Sequence, residues 1–179
     1  MTKLLSISDA IDRFNKMMGI IAAWMVLLAV LVSALNAGSR YAFSISSNAW
    51  LELQWYMFSA MFLLGSAYTL YKREHVRVDV VYSSVGNRGR LWIDTIGFIF
   101  FFFPMVIIIG VMSWPYLKTA WVTGETSMHA GGLTRWPVWA LLPIGMAFLA
   151  LQGVSELIKR VAALMGVQEL DLTYEKPLQ

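Results

Sequence analysis

Four stretches of this chain carry no charge, and each is about as long as a bilayer is thick. Residues 17–39 give 23 uncharged positions, 53–71 give 19, 95–117 give 23 and 136–155 give 20. A hydrocarbon core of roughly 30 Å is crossed by about 20 helical residues rising about 1.5 Å each. Composition agrees. Only 14% of the 179 residues are charged and 58% are hydrophobic, whereas a soluble domain has about 25% charged residues. The sequence therefore predicts an all-α integral membrane protein, one membrane domain over residues 1–179. Its four transmembrane helices are expected at about 17–38, 53–71, 95–117 and 136–155.

Lys and Arg set the expected orientation. Lys3, Arg13 and Lys16 precede the first span, and Lys72, Arg73, Arg77, Arg88 and Arg90 follow the second. Lys159, Arg160 and Lys176 follow the fourth, leaving only Arg40, Lys118 and Arg135 on the other side. Under the positive-inside rule this split places both termini in the cytoplasm. The basic pI of about 9.3 thus reports topology, and nucleic acid is not expected as a partner. The first apolar run is longer than a signal-peptide core of roughly 7–15 residues, so it is expected to be retained as a span.

Ahead of that span, Ser8 is a good N-cap and Ile7, Ile11, Phe14 and Met18 form one apolar stripe. This predicts an interfacial amphipathic helix over about 8–16, or else a cytoplasmic start to the first span. Gly65, Ser66 and Ala67 would allow close helix contact in span two. Pro104 is expected to kink span three, because it removes one backbone hydrogen bond and crowds the carbonyl of Phe100. Pro137 suits the first turn of span four. The tail 168–179 is expected to be flexible.

The segment "KREHVRVDVVY", residues 72–82, concentrates charge directly after span two. Val78, Val81, Tyr82 and Val85 fall at helical spacing, so an ordered segment along the bilayer surface is expected there rather than a purely solvated loop.

Chemistry is sparse. There are no cysteines, which removes disulfides and thiolate sites together. The only histidines, His75 and His129, are expected on opposite membrane faces, roughly 30 Å apart, and cannot share a haem or a metal. No nucleophile–base pattern points to an enzyme, and no catalytic, metal or cofactor residue is expected. Every Asp, Glu, Lys and Arg lies at or beyond a span end, so the chain is a poor candidate to carry a solute by itself. At the outer boundary, Arg40 and Glu52 could form an interfacial ion pair or meet a partner. Glu125 and Arg135 pose the same choice.

Together these residues resemble the small membrane subunit of TRAP (tripartite ATP-independent periplasmic) transporters, the DctQ-like family. The resemblance is carried by "RYAF" after span one, an acid with tryptophans opening span two, and "HVRVDVVY" after it. "GETS" and "LTRWPVWALLPIG" lead into span four. It implies a place in the bacterial cytoplasmic (inner) membrane, among lipids, beside a large membrane subunit that binds sodium and substrate. It also implies a periplasmic binding protein that delivers an organic acid. The small subunit would stabilise the large one and hold no transport site. Arg40, Trp50, Glu52 and Trp55, with His75, Arg77 and Asp79, are then expected at the subunit interface or the membrane surface. Gly124, Glu125, Ser127, Arg135 and Trp136 are expected to contact the binding protein. The alternative is a membrane scaffold or assembly subunit of another complex.

Overall fold

The computed structural model describes residues 1–45, 47–73 and 85–167. It is all-helical. Helix α1 spans Thr2–Phe43, α2 spans Asn48–Lys72, α3 spans Asn87–Thr123 and α4 spans Trp136–Leu164. Three of them, α1, α3 and α4, are long and apolar enough to cross a membrane by length and composition. With 25 residues, α2 reaches roughly 37 Å at 1.5 Å per residue, but Gln54, Tyr56, Ser59, Ser66, Tyr68 and Thr69 dilute its apolar character. Two of those hydroxyls bond backward within the helix, Ser66 to the Leu63 carbonyl at 2.8 Å and Thr69 to that of Gly65 at 3.1 Å. Such back-bonding lets Ser and Thr sit in apolar surroundings without an unmet donor.

The segment 8–16 is not an element of its own. It forms part of a 42-residue α1 capped at Met1 rather than Ser8, because no proline interrupts the run. Its apolar stripe shares the packing with polar neighbours. Phe14 meets Phe148 of α4 edge-on at 4.9 Å, while Ser8 and Asn15 beside the stripe are wholly buried and Ile7 stays half exposed.

Helix α4 is the hub. It packs against α1, α2 and α3, and α1 also packs along α2. The interfaces are built from small side chains, including Ala22, Ala29, Ala60, Ala67 and Ala162, all buried. Small residues let backbones approach, and dispersion then holds helices together where the hydrophobic effect does not. As the sequence suggested, Gly65 of α2 is a contact point, where an added Cβ would lie 3.5 Å from Ala22. An apolar cluster of Leu70, Val106, Met146 and Leu149 joins α2, α3 and α4.

Pro104 has its effect in a different form from a simple kink. The turn before it, Phe98–Phe102, is π-helical. A π-turn shifts the carbonyl that the pyrrolidine ring would otherwise strike. The wider turn also stacks Phe98 near Phe102, with ring centroids 4.9 Å apart, and Phe102 fills the space above Gly153 of α4.

Gly145 of α4 is the tightest test of the packing. A Cβ there would stand 2.8 Å from the Leu63 Cβ and 3.0 Å from its carbonyl oxygen. Backbone cannot swing aside as a side chain can. Gly145→Ala is therefore expected to cost about 1–3 kcal/mol by overpacking, read as a lower melting temperature in detergent. An unchanged melting temperature would mean that α2 and α4 are not in this contact.

Candidate functional site

Polar groups gather at both ends of the bundle. At one end, a hairpin between α3 and α4 folds over α2. Gly124 ends α3 in a left-handed conformation, with φ 61°. The backbone then pairs twice, Ser127 N–H to the Leu133 carbonyl at 3.0 Å and Arg135 N–H to the Glu125 carbonyl at 2.9 Å. Glu52, in the second turn of α2, lies beneath this hairpin and is only 7% exposed. Its carboxylate accepts the Ser127 hydroxyl on one oxygen and the Leu133 N–H, at 2.7 Å, on the other. Gly132 makes this possible, since a Cβ there would sit 2.9 Å from the carboxylate. Tyr56 adds a bond to the Thr134 carbonyl at 2.8 Å, and Asn48 one to Ala130 at 3.1 Å. The Ser127 and Leu133 donors hold the Glu52 carboxyl below its ordinary range, aided by the nearby His129 and Arg135.

The Arg40–Glu52 ion pair does not form. Arg40 is exposed near the end of α1, and Glu52 has turned to the hairpin, whose directional donors outcompete an exposed cation. Glu125 and Arg135 do pair, at 2.9 Å, each about one-third exposed. The structure thus joins Glu52 with Ser127, which the sequence assigned to separate surfaces. Trp136 opens α4 and meets Trp121 edge-on at 4.7 Å. Trp50 and Trp55 point outward from α2, 43% and 65% exposed. His75, Arg77 and Asp79, with the surface segment around them, lie outside the described residues. So does the tail 168–179.

At the other end lies a network that the sequence reading missed. Ser8, Asp12 and Asn15 form a polar stripe on α1, and Gln152, Ser155 and Lys159 form one on α4. They meet face to face. Asn15 donates to Gln152 at 2.8 Å, Gln152 to Asp12 at 2.9 Å, and Ser155 to Asp12 at 2.6 Å. Ser8 and Ser155 join through their hydroxyls at 2.7 Å. Lys159 bridges Asp12 and Glu156. Arg160 then binds Glu156 at 2.7 Å and Asp94 of α3 at 3.1 Å, while its guanidinium covers the Phe98 ring at 4.6 Å. Arg73, closing α2, lies 3.6 Å from Glu156. Among the described residues, three carboxylates (Asp12, Asp94, Glu156) meet three cations (Arg73, Lys159, Arg160) in these ion pairs. All four helices contribute. The available signal was the matched i, i+3/i+4, i+7 polar spacing on two apolar helices.

Among the described residues, the long-helix bundle with small-residue interfaces and polar clusters at its ends is that of an all-helical membrane component. Among the described residues, no three His, Asp or Glu side chains converge as a metal site. The family model "Tripartite ATP-independent periplasmic transporters, DctQ component" matches residues 29–163, and the chain belongs to that family of transporter components. No curated protein and no solved structure matches it.

Proposed function

We infer that the chain is the accessory small permease subunit of a sodium-coupled TRAP transporter in the bacterial inner membrane. In this reading it packs against the large membrane subunit, which holds the sodium and substrate sites, and enlarges its fixed scaffold. A periplasmic binding protein delivers an organic acid and meets the hairpin 124–135. The observation that carries the reading is the family match over residues 29–163. Support also comes from how the polar groups are used, bonded mainly to each other at the two ends and leaving an apolar perimeter for lipid and a partner. The test is purification of the tagged chain from its native membrane in mild detergent. A stoichiometric multi-span partner is expected. Recovery of the chain alone, under conditions that preserve other complexes, would overturn the reading.

The reading includes four crossings with both termini in the cytoplasm, α2 being the second. The absence of cysteine makes single-cysteine variants clean reporters. Met128→Cys, at a hairpin position 94% exposed, is expected to react with an impermeant maleimide from outside, and Lys3→Cys only after lysis. If α2 did not cross, both sites would lie on one side and label together.

A further inference from the structure

Beneath the hairpin is an open cleft of about 250 Å³ that the proposed function leaves without a role. Glu52, Trp55, Tyr56 and Ser59 of α2 line one wall, and Arg135, Val138 and Trp139 the other. Its charges are opposite and separately held. Glu52 has each carboxylate oxygen on one hairpin donor, and a carboxylate offers about four acceptor positions, so it can still receive an ammonium. Arg135 spends one nitrogen on Glu125 and is 38% exposed, so the rest of its guanidinium fork is available to a phosphate. The walls are aromatic, with Trp139 stacked on Tyr116 of α3 at 5.3 Å. Below the cleft, the Trp55–Ser59 face of α2 continues at helical spacing to Phe62, which is 73% exposed.

We propose that this cleft binds the headgroup of an outer-leaflet phospholipid bearing a primary ammonium, of the phosphatidylethanolamine type. The phosphate faces Arg135, the ammonium faces Glu52, and an acyl chain runs along Trp55 and Phe62. An ammonium–phosphate pair is complementary in sign to the carboxylate and guanidinium that line the cleft, and aromatic side chains are at home at headgroup depth. A trimethylated headgroup has no N–H to give Glu52, and a glycerol headgroup has no cation. The site therefore selects among lipids.

The proposal rests on the four-crossing arrangement, which the cysteine labelling tests separately. Loss of lipid selectivity in a chain that labels as expected would sink the lipid site alone. The experiment is native mass spectrometry of the full chain purified in its complex and exchanged into mixed ethanolamine, choline and glycerol phospholipids. One retained ethanolamine lipid is expected. Its retention should fall about tenfold in Arg135→Gln, the effect of losing one charge-assisted contact. Glu125→Gln breaks the same ion pair but leaves Arg135 in place, and should retain the lipid as well as the parent. Equal retention of all three headgroups would overturn the proposal, as would insensitivity to Arg135→Gln. Equally tight binding of soluble phosphorylethanolamine would overturn the lipid as occupant.

Discussion

Glu156→Met is expected to be among the most destabilising single substitutions in the chain, costing about 3–5 kcal/mol. Its side chain is 1% exposed and holds Arg160, 3% exposed, together with Lys159 and Arg73. Removing the carboxylate leaves buried cations short of a counter-charge, which costs more than the pair contributed. The readout is the temperature at which half the detergent-solubilised protein stays in solution, expected to drop on the order of 10 °C. The decisive comparison is with Glu156→Met/Arg160→Met. In that double variant Lys159 keeps Asp12, and the buried Arg160 is no longer left without the Glu156 carboxylate. It should therefore be less destabilised than the sum of the two single variants, since coupled neighbours are not additive. A strictly additive pair would show that Glu156 and Arg160 are not coupled.

Glu52→Ala is expected to release the hairpin 124–135 without melting the bundle. It deprives the Ser127 hydroxyl and the Leu133 N–H of their shared acceptor, while the helices keep their interfaces. Proteolysis within the hairpin should rise several-fold, and the melting temperature should change little by comparison. Uptake limited by the binding protein should fall if the hairpin is its contact.

The pH dependence has a definite sign. Glu52 has its carboxyl lowered from the ordinary value of 4.5 by the Ser127 and Leu133 donors. Its folded pKa lies below the unfolded one, so its stabilising contribution is fully present above about 4.5 and is lost as pH falls through the lower, folded value. The hairpin should stay protected through the range where an unperturbed glutamate protonates, and open only at more acidic pH. Opening at or above pH 4.5 would contradict the hydrogen bonding seen here.

The uncharged runs and Pro137 in the first turn of α4 were legible because they are local properties; at Gly65 the room for a close approach was legible, but not its partner Ala22. A run of apolar residues has few ways to satisfy its backbone in lipid other than as a helix, and a proline acts on its own turn. The pairing of Glu125 with Arg135 was also open to view, ten positions apart across a glycine-rich turn.

What only the tertiary structure decided was the choice of partner among residues far apart in sequence. Asp12, Asp94, Glu156 and Arg160 looked like membrane-flanking charges, lying before the first run, before the third and after the fourth. In three dimensions those ends converge, and groups that would have faced water singly become one charge-paired network around the buried Glu156 and Arg160. Glu52 likewise chose Ser127, 75 positions away, over the nearer Arg40. Sequence by itself determined where apolar helical runs lie, because helix formation in lipid is settled by each segment alone. Their ends were not legible, since α1 and α3 run on to Thr2–Phe43 and Asn87–Thr123 beyond the expected spans. Nor did sequence determine which polar faces meet, because that depends on how four helices share a small volume in a medium that leaves a charge no other place to go.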